Sequence, residues 1–297
     1  MYTIAVVAES PLPDRPCRDL LYAIKNRGHI ARYIPISRIS VKVSKNGEIS
    51  IVIRDRKLDV EGIFLRSIGF LLDLEQFLRR VTVLRLIQES GVTVLNPVEG
   101  FLKSRNKLDT IIELSKRGIP VPQTLCTEDL YLAYLTCREF KECVIKPMVG
   151  SRGFGAVKFD DPDVGFQVMK TLLNFKKPLY LQEYVRKPDR DIRVLVIDGE
   201  IFGCMYRIAP PGSWKTNIAQ GAKGVPCEKI DPELAEIAIK ATEALGLVYA
   251  GVDIGEGPEG YVVFEVNGSP DWRELSQVLG KNPAEKLVDV MLRLLRR

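Results

Sequence analysis

The chain has 297 residues, 46% of them hydrophobic and 27% charged, with 43 Lys and Arg against 38 Asp and Glu for a formal net charge of +5. That composition excludes the disordered and fibrous classes, and the length fits two or three domains of roughly 100–200 residues each. The basic residues are spread along the chain, which fits a small anionic substrate, or simply a lysine-rich soluble surface, better than it fits nucleic acid. No apolar run reaches the roughly 18 residues of a membrane span. The start MYTIAVVAES has neither a basic leader nor a cleavage site, so a cytoplasmic location without a membrane partner is expected. The six cysteines form no C-x-x-C pair and read as reduced thiols, which argues against structural zinc. His29 is the single histidine and reads as an exposed turn residue, so a catalytic triad or a histidine metal cluster lacks its partners. Whatever chemistry occurs falls to carboxylates, lysines and arginines.

In chain order, TIAVVAE is an apolar strand, CRDLLYAIKNRG a helix stopped by glycine, and IARYIPI and GIFLRSI further strands. Between them SVKVSKNGEISIVIRD alternates around Asn46-Gly47, a hairpin signal. FLLDLEQFLRRVTVLRLIQESG predicts a long amphipathic helix ending at Gly91, and VTVLN another strand. This is the pattern of a parallel, doubly wound α/β layer over residues 1–100. A second unit, 101–186, is expected to hold a helix over SRNKLDTIIELSKRG, an extended IPVPQT, a helix at DLYLAYLTCREF, a strand–loop–strand and the strand LYLQEYV. The polar run RKPDRD is the candidate hinge to a third unit, 187–297. That unit reads as the hairpin DIRVLVI-DG-EIFGCMYRI, the loop APPGSWKTNIAQGAKG, helix PELAEIAIKATEALG, strands AGVDI and YVVFEVN, and a closing helix NPAEKLVDVMLRLLRR.

Residues 144–159 read VIKPMVGSRGFGAVKF. Gly150, Gly153 and Gly155 let backbone amides approach a phosphate, and Lys146, Ser151 and Arg152 add charge and donors. The run is G-x-x-G-x-G between two strands, neither a phosphate loop nor a dinucleotide fingerprint. It reads either as an ordinary glycine-rich hairpin or as a flap that closes over phosphates. Glu265 and Asn267 in FEVN alternate onto one strand face. Asp253 joins them if the hairpin through GEGPEG pairs residues whose numbers sum to an even value, and the three oxygen donors then suit magnesium. The alternatives are a turn or capping Asp253 and a cross-strand ion pair at Glu265, but charges inside apolar runs such as VVFEVN are costly without compensation. At Gln182 and Glu183 in LYLQEYV the backbone is placed to read an adenine edge, unless this is a plain exposed strand face. Asp191 and Arg193 alternate on one face of DIRVLVI, offering a carboxylate to a ribose hydroxyl and a guanidinium to an anionic reacting group. In SWKTN, Lys215 and Asn217 suit phosphate or metal, or plain solvent.

With K-P-x-x-G-S-R-G-x-G, L-Q-E-Y, D-I-R, K-T-N, A-G-V-D and F-E-V-N in this order, nearly the whole chain resembles the ATP-grasp superfamily and its RimK-like carboxylate–amine ligases. The resemblance implies an ATP-grasp fold, α/β and α+β, behind an N-terminal doubly wound α/β domain. It implies that Lys107 and Lys146 contact ATP phosphates beneath the 150–155 loop, and that Glu183 and Tyr184 lie at the adenine. Asp191 would meet the ribose, Lys215 and Asn217 the phosphate region, and Asp253, Glu265 and Asn267 a magnesium or manganese ion. Such ligases phosphorylate a carboxylate and let an amine attack the acyl phosphate; positioning and charge neutralisation carry most of that step. Arg193 and Arg207 are the candidates for the reacting carboxylate. For Arg207, the Asp198-Gly199 turn is expected to pair it with residue 190 and point it away from Arg193.

The segments LRSIGFLLDLEQFLRRV, GSWKTNIAQGA and EVNGSPDW look most like the archaeal type that adds L-glutamate to tetrahydromethanopterin, although NGSPDW departs from the N-x-x-P-G of many relatives. Related acceptors are a deazaflavin coenzyme, a ribosomal protein tail and an amino-group carrier protein. The expected partners are therefore ATP, a small acid and an amino acid, and the sequence is compatible with a homo-oligomer. A nucleotide-dependent oxidoreductase and an RNA-binding module are the rival classes; SPLPDRP after the first strand gives the former no glycine fingerprint.

Overall fold

A computed structural model describes residues 1–150 and 153–296. Strand β1 (Thr3–Ala8) is buried throughout and alternates its side chains between two cores. Ile4, Val6 and Ala8 pack with Leu20 and Ile24 of helix α1 (Arg15–Asn26), while Ala5 and Val7 face the opposite side. β2 (Ile30–Pro35) runs parallel to β1. The inserted ribbon β3 (Ile39–Val43), β4 (Ile49–Ile53) and β5 (Arg56–Lys57) is antiparallel and turns at Asn46-Gly47. β6 (Gly62–Leu65), α2 (Leu74–Glu89) and β7 (Thr93–Leu95) complete a parallel sheet of order β2-β1-β6-β7, as a doubly wound layer requires. The expected start of α2 at Phe70 is corrected to Leu74. The Asp73 carboxylate accepts from the Gln76 amide at 2.7 Å and caps the helix there, leaving Phe70 and Leu71 exposed in the preceding loop.

The continuous helix expected over 104–118 is two helices, α3 (Val98–Arg105) and α4 (Lys107–Ser115). Asn106 is extended between them and its side chain accepts from the Leu108 amide at 3.1 Å, so it ends one helix and caps the next. β8 (Thr124–Thr127), α5 (Leu130–Phe140), β9 (Cys143–Lys146), β10 (Val157–Phe159), α6 (Pro162–Asn174) and β11 (Leu179–Glu183) then form an antiparallel sheet, β10-β9-β11-β8, with a core shared with α5 and α6. The glycine loop thus joins two antiparallel strands.

β12 (Arg190–Ile197), β13 (Glu200–Ile208), β14 (Lys223–Pro226), α7 (Pro232–Ala244), β15 (Tyr249–Gly257) and β16 (Gly260–Asn267) build the sheet β14-β13-β12-β15-β16. One face packs on α7. On the other, Leu195, Ile197 and Tyr249 join the core of β1 and α1 through α8 (Arg273–Leu279) and α9 (Pro283–Leu294), so the first and last sheets share apolar contacts. Asn96, fully buried, strengthens the same junction: it donates to the Tyr249 and Gly268 carbonyls at 2.8 and 2.7 Å and accepts from the Val248 and Tyr249 amides. The six cysteines are free thiols. His29 is half-buried, accepting from the Tyr2 amide at 3.1 Å and stacking on its ring, rather than exposed. Among the described residues no helix is long and apolar enough to cross a membrane.

Candidate active site

Lys107, Lys146, Gly150, Gly153, Gln182, Glu183, Tyr184, Asp191, Lys215 and Asn217 line one cleft between the two antiparallel sheets, together with Arg207, Asp253 and Glu265. Lys146 ends β9, and its Nζ donates to Gln182 Oε1 at 2.7 Å. Gln182 is itself fixed, donating to Thr124 Oγ1 and the Tyr180 hydroxyl at 3.0 and 3.1 Å. Burial pushes the Lys146 ammonium down to about 8, and the neighbouring charge of Lys107 adds to the fall, against the opposing pull of Glu265 and Asp253. Such a lysine gains on meeting a polyphosphate.

The loop after β9 is pinned by two further lysines. Lys107 Nζ donates to the Gly150 carbonyl and Lys215 Nζ to that of Gly153, both at 3.2 Å. Gly153 has φ +71° and lies so close to Asn217 that a Cβ there would stand 2.2 Å from its Oδ1. Gly155 has φ +76° and abuts Pro147. Ser151 and Arg152 lie outside the described residues.

At the other end of the cleft the Glu183 carboxylate accepts from the backbone and side-chain nitrogens of Gln123, both at 3.1 Å, so Glu183 offers the cleft its backbone. The Tyr184 ring lies beneath Lys158 Nζ at 3.7 Å and meets the Trp214 edge. Pro122, Val144, Val185 and Phe264 make this end apolar, as a nucleobase requires. Lys187, which sequence reasoning passed over, also lines it; burial lowers its ammonium, and it donates to the Arg190 carbonyl at 2.8 Å.

The carboxylates meet the arginines across the last sheet. The β15–β16 turn has two residues, with Gly257 opposite Gly260, not the longer GEGPEG loop expected. That turn imposes an odd register, and a bulge between Asp253 and Ile254 restores the even one, setting Asp253 opposite Glu265. Asn267, two residues along, shares their strand face. A second bulge, between Leu195 and Val196, corrects the expectation for Arg207. It lies opposite Asp191, not residue 190, and so turns to the same face as Arg193. Its guanidinium makes a bidentate pair with Asp191, both contacts at 2.7 Å, and reaches Asp253 Oδ2 at 2.9 Å. Arg193 grips Asp253 through Nε and, at 2.9 Å, Nη2. Burial would raise the Asp253 carboxyl; Arg193 and Arg207 outweigh it and hold it below the usual range. Thr216, another residue the sequence did not single out, donates to Asp191.

Asp253 and Glu265 are hard oxygen donors side by side, with the Asn267 amide oxygen next in line, and this set fits magnesium. Among the described residues no three of His, Cys, Asp and Glu cluster as a metal cage. An ion held by so few protein donors would complete its shell with phosphate and water. Glu265 accepts from Lys107 at 3.3 Å, and Asn267 Oδ1 from the Ser269 amide at 2.9 Å. Arg193 and Asn267 line a second, larger cleft that shares Arg207, Asp253, Glu265 and Asn217 with the first.

A glycine-rich loop beside a lysine-rich cleft, next to paired carboxylates and arginines, suits an enzyme that handles a polyphosphate together with a second anion. Residues 104–291 match the RimK-like ATP-grasp domain. Tetrahydromethanopterin:alpha-L-glutamate ligase of Methanocaldococcus jannaschii is 36% identical over 240 residues, covering 79% of this chain and 80% of the relative. Alpha-aminoadipate–LysW ligase LysX of Sulfurisphaera tokodaii is 35% identical over 216 residues, covering 71% and 75%. Among solved structures, the ATP-grasp ligase PsnB in complex with a minimal precursor superposes with TM-score 0.76 at 23% identity over 98% of both chains, and its complex with precursor, Mg and ADP with TM-score 0.73. The chain belongs to the RimK-like ATP-grasp family, and it is an ATP-dependent ligase joining an amino acid to an acid.

Proposed function

We propose that the chain uses ATP with Mg2+ to join the amino group of L-glutamate to a carboxylate of a small-molecule acid such as tetrahydromethanopterin. The observation that supports this best is the unbroken run of cationic side chains from the nucleotide cleft into the second cleft. Lys107, Lys146 and Lys215 serve the phosphates, Arg193 and Arg207 the carboxylate that receives one, and the two clefts meet at Asp253 and Glu265. Gln182 orients Lys146, the backbone at Glu183 and the ring of Tyr184 bound the nucleobase, and Asp191 faces the ribose region while holding Arg207. Gly150, Gly153 and Gly155 belong to the flap that excludes water, so that the acyl phosphate meets the amine before it hydrolyses. Asp253, Glu265 and Asn267 would hold the metal ion, which supplies charge neutralisation on the transferring phosphate. The arginines keep the carboxylate ionised and in line with the terminal phosphate, and then face the oxyanion that develops as the amine attacks.

The likeness to LysX favours a second reading, in which the acid belongs to a carrier protein. One screen separates the two: ADP release with L-glutamate constant and the acid varied among tetrahydromethanopterin, a deazaflavin coenzyme and acidic protein tails. Release with the pterin supports the proposal, release with a protein tail alone supports the second reading, and none with any acid defeats both.

A further inference from the structure

The second cleft opens above the carboxyl ends of β1 and β6, where the strand order of the parallel sheet reverses. Ligands of open α/β sheets settle at that switch point. Its wall carries Glu9, Arg66 and Arg105, and it extends to Arg193, Asp253 and Glu265. Two of these guanidiniums, Arg66 and Arg105, are withdrawn from solvent, unlike the exposed Arg15 and Arg18 on the same wall. Arg66 is 8% exposed, donates to the Pro270 carbonyl at 2.7 Å and the Tyr249 hydroxyl at 3.4 Å, and lies 4.4 Å from the Trp272 ring centre, yet its Nε has no partner. Arg105 donates to the Gly69 carbonyl at 2.6 Å, and burial depresses its guanidinium. Among the described residues neither has a carboxylate within ion-pair distance, whereas Arg80, Arg193, Arg207 and Arg273 each have one. A desolvated cation whose partners are all neutral favours an anion beside it.

We infer that Arg66 and Arg105 recognise a carboxylate that does not react, carried by one of the two substrates. Planar, forked donors suit that group. The inference rests on the ligase reading and adds to it that one substrate spans both clefts, its reacting end at Arg193 and Arg207 and its second acidic group at the parallel sheet. The carboxylate is either the amino acid's own or the second one of a dicarboxylic acid.

Calorimetric titration of the Mg-ADP-loaded enzyme with L-glutamate and with glutarate separates these sources without turnover. Arg105→Gln is expected to weaken at least one probe ten- to hundredfold while leaving ADP affinity and the melting midpoint unchanged. Loss for L-glutamate alone assigns the site to the amine substrate, and loss for glutarate, with or without L-glutamate, to a dicarboxylic acid. Arg66→Lys, which keeps the charge under Pro270, should give a smaller loss for the same probe. Unchanged affinity for both probes in Arg105→Gln, or a wild-type enzyme that binds neither, overturns the inference. The ligase reading fails separately, on absence of ADP release by the wild type with any acid.

Discussion

Asp253 lies directly opposite Glu265 because a single extra residue in β16, Phe264, offsets the register that the Pro258-Glu259 turn imposes. Without that bulge Asp253 and Glu265 would lie on opposite faces of the sheet, and no pair of carboxylates would border the nucleotide cleft. Replacing Glu265 by Ala leaves Asp253 still committed to two arginines, so the remaining donor set is too poor for magnesium. ADP release should fall about a hundredfold or more, while the melting midpoint stays close to the wild-type value because Glu265 is partly exposed. Normal turnover in this variant would remove the metal assignment.

Lys146 predicts a pH dependence of nucleotide affinity. In the free enzyme its ammonium titrates at about 8, so it is mostly charged at pH 7 and mostly neutral at pH 9. Phosphates favour the charged form, so binding above pH 8 must take up a proton and weakens as the pH rises. ADP affinity should drop by up to about tenfold between pH 7 and 9, and Lys146→Met should be weaker throughout and lose that slope. A wild-type affinity that is flat over this range means that Lys146 does not contact the phosphates.

Gly153→Ala tests how closely the flap seats. Its backbone is left-handed and an added methyl would collide with Asn217, so flap and 213–217 loop must separate. Strain of this kind costs about 1–3 kcal/mol, and a tenfold or greater rise in the KM for ATP is expected, with stability changed less because the loop is at the surface. An unchanged KM would show that the flap does not close on that loop during turnover.

What the sequence made legible follows from locality. The run TIAVVA announces a buried parallel strand, Asn46-Gly47 a hairpin, and the alternation of Glu265 with Asn267 a shared face, because each signal lies within a few residues. Asn106, Asp73 and Asp161-Pro162 are capping signals of the same local kind, and each opens a helix. The bulges had no such signal. Leu195-Val196 and Asp253-Ile254 resemble unbulged strand, and their irregularity is fixed by neighbouring strands and packing, so counting back from the turn puts Arg207 on the wrong face. Arg66 was silent for a related reason: its partners Tyr249, Pro270 and Trp272 come from the far end of the chain.

The arginine cluster itself yields the last prediction. Arg207 bridges Asp191 and Asp253, and all three side chains are at most 7% exposed. Removing the central cation by Arg207→Met leaves Asp191 with Thr216 and Asp253 with Arg193, each carboxylate short of one charged partner in a dry site. Breaking a buried pair in this way costs about 3–5 kcal/mol, which urea denaturation at pH 7 should report as a lower midpoint at unchanged slope. The sign with pH follows from Asp253. Its folded carboxyl lies below the unfolded value, so its stabilisation is present at neutral pH and is lost as the pH falls through the folded value. With Arg207 gone, burial is less well opposed and the folded value rises, so the variant should lose further stability at a higher pH than the wild type does. Arg207→Lys should recover only part of the loss, since one ammonium cannot serve two carboxylates with the geometry of a guanidinium fork. A change below about 1 kcal/mol in Arg207→Met would mean that water reaches the cluster and that the three side chains do not act as a buried network.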